Sequence, residues 1–206
     1  MAHRDTTPLK PRKDPAQDRS RALVDAVLEA AARILLSDGL GALTVPALCD
    51  TAGVSPGSFY QYFPHKEAVL YALLRRHAED VTARMVAVLA SAPSTPTAAL
   101  VEAAVDAFLD AHRVDPELHA LLGRVVASEA GPGLEDDLLA RFELGLVALM
   151  HSRPDELAGR DPAVLAFLVI RTLEGAVHAA ARDRPALLAE PAFRDGLVVQ
   201  IRALLA

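Results

Sequence analysis

Residues 44–66 read TVPALCDTAGVSPGSFYQYFPHK, from Thr44 to Lys66. Thr44 offers a hydroxyl N-cap to a short helix that buries Val45, Leu48 and Ala52. Gly53 can take the left-handed conformation that ends it. Ser55 caps a second helix, and Pro56 sits in that helix's first turn, where a missing N–H costs nothing. Phe63-Pro64 closes the segment, because the residue before a proline avoids helical backbone. Two short helices joined by Ala52-Gly53-Val54 form a helix-turn-helix, with glycine permitting the tight turn between them.

Such a unit lays its second helix, here Ser55–Tyr62, in a DNA major groove while the first braces against the backbone. The composition of that helix supports the reading. The chain has three tyrosines, six phenylalanines and no tryptophan, yet Phe59, Tyr60, Tyr62 and Phe63 fall within five residues. Phe59 and Phe63, four apart, serve as packing anchors. Tyr60 and Tyr62 are then expected to point elsewhere and offer hydroxyls to phosphate oxygens. Pro56 and Gly57 make a slim end that can approach base edges. Ser58 and Gln61 are the side chains expected to reach those edges, glutamine pairing bidentately with adenine.

Outward from this motif the pattern stays helical. Upstream, Val24, Val27, Leu28, Ala31, Ile34 and Leu35 keep the three-four spacing of one buried face, from about Asp18 to Gly39. Before it, residues 1–17 hold Pro8, Pro11 and Pro15 among basic residues and read as a flexible basic arm. Downstream, a long helix runs from about Lys66 to Leu89. Further helices are expected over Thr97–Val114, Pro116–Ser128, Leu134–His151, Asp161–Arg182 and Pro191–Leu205. No stretch alternates with period two, so the fold class is all-α: a three-helix N-terminal domain and a C-terminal bundle, about nine helices in total.

Hydrophobic residues make up 52% of the 206 and charged residues 23%, which excludes wholesale disorder. The net charge of −6 is unevenly spread. Residues 1–76 hold ten Lys/Arg against eight Asp/Glu, and residues 77–206 hold eleven against nineteen. An acidic body with a weakly basic head suits a chain of which only the head meets phosphate. The longest apolar run, Ala163–Ile170, is far short of the ~20 residues that span a bilayer, and no signal segment opens the chain. Cytoplasmic localisation without membrane contact is the expectation. One cysteine, Cys49, precludes an internal disulfide; lying among core positions, it reads as buried filler. The scattered histidines form no metal-ligand pattern, and no nucleophile elbow, phosphate loop or dinucleotide fingerprint occurs. Neither a cofactor, a metal nor catalysis is expected.

Residues 21–75 resemble the DNA-binding domain of TetR-family repressors. The resemblance rests on Gly39, Thr44-Val45, Leu48, Ala52-Gly53-Val54-Ser55, Gly57, Phe59-Tyr60, Tyr62-Phe63, Lys66-Glu67 and Leu70. It implies a flexible arm at 1–17, a DNA-binding domain at 18–65, and a ligand-binding and dimerisation domain at 66–206. It implies phosphate contacts from Thr44, Tyr60, Tyr62 and Lys66, with Ser55, Pro56, Gly57 and Gln61 facing the groove. Arg19 and Arg21, just before or at the start of the first helix, are placed to touch phosphate or a minor groove. Two residues depart from the pattern. His65 stands where such proteins often cap the fourth helix with serine, so a weaker cap and a phosphate contact by His65 are expected. Pro46 replaces a commonly polar residue and is tolerated in a first helical turn.

The resemblance also implies a partner set: a palindromic double-stranded operator, a small-molecule effector and a second copy of the chain. For the dimer, Leu165, Leu168, Thr172, Gly175, Ala176 and Ala179 on one helix are expected to pair with Phe193, Leu197, Val198, Ile201 and Leu205 on the last. For the effector, polar residues interrupt apolar faces at His112 (four after Phe108), at Arg141 beside Phe142, and at Arg171, Glu174 and His178. Arg171–Glu174 and Glu174–His178 are spaced to pair along their helix. An otherwise aliphatic wall favours an apolar or amphipathic effector. The reading is a ligand-responsive repressor; the alternative is a helical ligand- or partner-binding protein of the same architecture that does not bind DNA.

Overall fold

The computed structural model describes residues 18–113, 118, 134–157 and 159–206, with only the backbone of 18, 19, 134–139 and 141. The expected arm at 1–17, the expected helix at 116–128 apart from residue 118, and the side chains of Arg19 and Arg141 lie outside the described residues. Among the described residues there are eight α-helices and no strand. They are α1 (Asp18–Asp38), α2 (Val45–Ala52), α3 (Pro56–Tyr62), α4 (Lys66–Ser91), α5 (Thr97–Arg113), α6 (Leu134–His151), α7 (Pro162–Asp183) and α8 (Pro191–Leu205). The all-α class is as the periodicity requires. The chain divides into two compact units, and the division falls inside α4, between Arg76 and His77.

In the first unit, local chemistry sets each boundary. Gly39 (φ 75°) ends α1 and Gly53 (φ 67°) ends α2, both in backbone that a side chain would strain. A 3-10 turn at Leu40–Ala42 then brings Leu43 fully into the core. Thr44 Oγ1 accepts the Ala47 N–H at 3.3 Å, and Ser55 Oγ accepts the Ser58 N–H at 3.1 Å. These caps satisfy N–H groups that have no partner within their own helices. Phe63, preceding Pro64, is extended at φ −116° and ψ 117°. The interior joins Val27, Leu28 and Leu35 of α1, Leu48 of α2, Phe59, Phe63, and Val69 and Leu73 of α4. Each such side chain contributes on the order of 1.5–3 kcal/mol by leaving water.

The second unit packs the remainder of α4 with α5, α6, α7 and α8. Met85, Val105, Phe108, Leu109, Val177, Leu188, Leu197 and Ile201 are buried in one cluster. Arginines tie helix ends together. Arg194 of α8 clasps Asp106 of α5 through two bonds of 2.7 and 2.8 Å. Arg160 donates to the Leu204 and Leu205 carbonyls, both at 2.6 Å, acceptors that the end of α8 leaves without a helical donor. Arg153 donates to the Ala92 and Thr95 carbonyls at 2.6 and 2.8 Å and to Thr97 Oγ1, fixing the turn between α4 and α5.

By length and composition α7 could cross a bilayer, with a mean hydropathy of 1.6 over eighteen residues, although no single apolar run in it is long. One face of it explains much of that character: Leu165, Ala166, Ile170, Leu173, Val177, Ala180 and Ala181 are buried in the unit's own core.

Candidate functional site

Two places in the structure gather the residues singled out from sequence, one in each unit. In the first unit, α3 is only seven residues long, and its two sides differ sharply. Phe59 and Phe63 are wholly buried and Tyr62 is 9% exposed, whereas Tyr60 is 46% exposed. Ser55, Pro56, Gly57 and Gln61 are exposed as well, and Ser58 is half-buried. The Ser55 and Ser58 hydroxyls lie 2.9 Å apart, so the two form a small polar cluster at the leading end of α3. Thr44, at the start of α2, is exposed, and its hydroxyl proton is not needed for the cap it makes. Arg21 is exposed, and Lys66 is half-buried.

Tyr62 departs from the expectation that it points away beside Tyr60. Spacing of three and four residues puts Phe59, Tyr62 and Phe63 on one helical face, and the structure buries all three rings. Phe59 meets Phe63 at 5.5 Å and Tyr60 edge-on at 5.4 Å. His65 departs too. Its Nδ1 accepts the Ala68 N–H at 3.2 Å, so it caps α4 in place of the missing serine. The same nitrogen lies 3.2 Å from Glu67 Oε2. A bare Nδ1 can accept from Ala68 but not donate to Glu67, so where the ring proton sits decides which of the two contacts is a hydrogen bond.

Cys49 is buried in α2, and burial, with the Asp50 charge beside it, raises its thiol above the ordinary range. A protonated, enclosed thiol is a packing group, as its position in the sequence indicated.

In the second unit, Phe108, His112, Phe142, Glu174 and His178 line one cavity of about 80 Å³. Thus the structure brings together five of the seven positions expected there. His112 is 1% exposed; its Nδ1 lies 2.8 Å from the Phe108 carbonyl, and its Nε2 lies 3.1 Å from His178 Nε2. The expected Glu174–His178 pairing along α7 gives way to this cross-helix contact. Arg171 is not part of the lining. It is exposed, donates to Glu174 Oε2 at 2.8 Å and lies 5.6 Å from the Phe167 ring centre. Periodicity did not single out His77 and Thr82 of α4, which stand in the wall with Met85. Their only signal is a polar residue at each of two positions in a long amphipathic helix. A second cavity of about 120 Å³ shares Met85, Phe142, Ile170 and Leu173 with the first and is almost wholly apolar. Among the described residues, no group of three His, Cys, Asp or Glu is placed to hold a metal ion.

The expected dimer surface also changes in detail. Leu165, Leu197, Val198 and Ile201 are buried within their own unit. What faces outward on α7 is Val164, Phe167, Leu168, Arg171 and Gly175, and on α8 Ala192, Gly196, Val199 and Ala203. Val199 is 67% exposed and Val164 54%.

Similarity to known proteins follows this geometry. Residues 27–73 match the model for bacterial regulatory proteins of the tetR family, and residues 96–206 match that for the tetracyclin repressor-like C-terminal domain. No curated protein matches the chain. Among solved structures, a TetR-family transcriptional regulator from Streptomyces coelicolor is similar at 23% identity and a TM-score of 0.66, over 91% of this chain and 97% of that one. The fatty acid degradation regulator FadR from Bacillus halodurans is similar at 17% identity and a TM-score of 0.66, over 93% and 96%. PfmR of Thermus thermophilus, a TetR-family regulator, is similar at 18% identity and a TM-score of 0.62, over 87% and 96%. At these identities the likeness is one of fold, and the family rests on the two model matches, which take in the helix-turn-helix and the whole region from 96 to the last residue. The chain belongs to the tetR family of bacterial regulatory proteins and is a DNA-binding transcriptional regulator.

Proposed function

We propose that this regulator is a cytoplasmic, dimeric repressor, released from a palindromic operator by a small apolar or amphipathic effector. One observation carries the DNA side of this reading. Ser55, Pro56, Gly57, Tyr60 and Gln61 are exposed together on α3, opposite rings that are buried. Ser55 caps α3 and Tyr60 leans edge-on against Phe59, and the rest of this face is open to solvent. In the proposed complex Gln61 and Ser58 read base edges, while Tyr60, Thr44 and Lys66 hold phosphates. Arg21 extends the phosphate contacts. Tyr62 supports this face chiefly by packing beneath it, and His65 by capping α4. Chain segments 1–17, 18–65 and 66–206 serve as arm, DNA-binding domain and effector-and-dimer domain.

A two-fold operator calls for two copies, with recognition helices one DNA turn apart. The outward stripes of α7 and α8 supply a self-complementary apolar face for that pairing. The effector's place is the cavity at His112 and Glu174. Its wall includes His77, Val81 and Met85 of α4, the helix whose first residues pack in the DNA-binding unit. An effector that fits one position of α4 better than another shifts the balance of DNA-competent and incompetent states by that difference in affinity. The protein's task in this reading is binding rather than turnover.

The test is fluorescence anisotropy on DNA from upstream of the gene and its neighbours, at several salt concentrations. Retention of one palindromic segment at least a thousandfold tighter than random DNA is expected for a specific regulator. Equal affinity for all sequences would remove the operator reading. Loss of transcription from that promoter on adding the protein, in a purified system, separates repression from activation.

A further inference from the structure

The hydrogen-bonding polarity of the cavity in the second unit defines the kind of molecule it accepts. Thr82 already donates its hydroxyl proton to the Ala78 carbonyl at 2.7 Å, so its oxygen remains only as an acceptor. His112 Nδ1 faces the Phe108 carbonyl at 2.8 Å and must therefore carry a proton to make that bond. In the neutral ring His112 Nε2 is then an acceptor, and His178 Nε2, 3.1 Å away, donates to it. A neutral His178 that donates from Nε2 has its Nδ1 left as an acceptor. Glu174 is an acceptor by its chemistry: Arg171 takes Oε2, and a carboxylate has further lone pairs to offer. At Thr82, His112, His178 and Glu174 the donor protons are committed to protein atoms, and these four offer a ligand acceptors, one of them a carboxylate; His77 stands beside them, its ring centre 5.1 Å from that of His112.

The neighbouring cavity does not reverse that balance. Its one cation is Arg153, whose guanidinium is engaged by Thr97 Oγ1 and by the Ala92 and Thr95 carbonyls, with Glu156 at 3.9 Å. An anionic head would meet Glu174 in one chamber and, in the other, an arginine with three of its five N–H groups already bonded to protein oxygens. A cationic, proton-rich head meets acceptors, a carboxylate and the Phe108 and Phe142 rings, all of which favour it. The two chambers share Met85, Phe142, Ile170 and Leu173, so a hydrocarbon tail rooted in the first has an apolar second chamber beside it.

We propose that the effector is an elongated lipophilic amine. Its ammonium group donates to Glu174 and His178, and its tail lies past Phe142 in the second cavity. This inference rests on the effector reading above and narrows it to one charge class.

The test uses three probes of equal chain length, n-decylamine, n-decanol and n-decanoate, titrated calorimetrically into the full-length protein below their micelle-forming concentrations. Decylamine is expected to bind at least tenfold more tightly than decanoate. In Glu174→Gln the ratio of amine to decanol affinity should fall at least tenfold, with decanol binding serving as the check that the variant is folded. Decanoate binding as well as decylamine would overturn the charge class and leave the effector cavity standing. An unchanged amine-to-decanol ratio in Glu174→Gln would likewise overturn the assignment of the head group. If none of the three binds, the cavity is not the effector site and both readings fall.

Discussion

His112 of α5 and His178 of α7 face each other through their Nε2 atoms at 3.1 Å, across a sequence separation of 66 residues. This contact joins two helices at the wall of the cavity, and only one proton can lie between the two nitrogens. A double-mutant cycle of His112→Ala and His178→Ala should therefore give a coupling of about 1 kcal/mol, the typical net worth of a hydrogen bond. His112→Ala alone should cost more, on the order of 2–4 kcal/mol, because it also empties a fully buried site. Urea denaturation of the four proteins measures both values; a coupling of zero would remove the bond as a determinant.

Tyr60 and Tyr62 are predicted to separate function from stability. Tyr62→Ala removes a buried ring and should destabilise the first unit by about 3–5 kcal/mol. Tyr60→Ala should change stability by no more than about 0.5 kcal/mol, as surface substitutions do. Tyr60→Phe should weaken binding to every operator sequence alike, and Gln61→Ala should weaken discrimination among sequences. Thermal melts paired with anisotropy on cognate and altered DNA show whether the two tyrosines divide in this way.

His65 should behave as a cap. His65→Ala leaves the Ala68 N–H without its side-chain acceptor and should cost about 1 kcal/mol, whereas His65→Ser should restore most of the loss. A phosphate-binding role predicts the opposite order of effects: little change in unfolding and a reduced salt dependence of DNA binding in both variants. The two measurements together distinguish the roles.

Gly175 and Gly196 lie on the outward faces of α7 and α8, and a Cβ built on either meets nothing of its own chain within 4 Å. In an isolated protomer, alanine at either site should stabilise its helix by roughly 0.5–1 kcal/mol. A bulky Gly196→Leu or a charged Val199→Glu should instead split the dimer and, with it, lower operator affinity. Sedimentation velocity tests this directly, and dimers that persist in both variants would place the interface elsewhere.

Asp106 carries the acid dependence that the structure makes explicit. Its hydrogen bonds from Arg194 lower its pKa below the ordinary 3.8, with burial opposing and the charges of Arg194 and Arg113 adding to the shift. A carboxylate whose folded pKa is depressed stabilises the fold above the unfolded value and loses that contribution as pH falls through the folded one. Asp106→Asn should therefore lower the melting temperature by a few degrees at neutral pH. The gap to the unsubstituted protein should close as pH falls below about 3.8. Both side chains are partly open to solvent, so the effect should be small and should shrink with added salt. A gap that widens toward acid would contradict the assignment.

Much of this architecture is legible in local chemistry. Gly39, Gly53, Ser55 and Pro64 punctuate the chain where only certain residues satisfy the backbone, and so they mark where α1, α2 and α3 begin or end. The burial of Tyr62 was legible too, since Phe59, Tyr62 and Phe63 keep the three-four spacing of one face. Pairing Tyr62 with Tyr60 as two outward hydroxyls ignores that spacing. His65 was less readable, because an imidazole can cap a helix, contact phosphate or pair with Glu67, and residue type alone does not choose.

The helix-turn-helix between Thr44 and Lys66 was determined by sequence alone, because caps, turns and the preproline rule act within a few residues of one another. Sequence periodicity also placed Phe108 with His112 and Glu174 with His178, since residues four apart share a helical face whatever surrounds them. Tertiary structure alone decided that these two faces meet, that His77, Thr82 and Met85 join them, and that Arg171 stays outside. It also decided that Leu197 and Ile201 turn inward while Val199 turns outward. The reason is physical: contacts between helices depend on crossing angles and side-chain volumes summed over many distant residues, and no spacing along the chain encodes them singly.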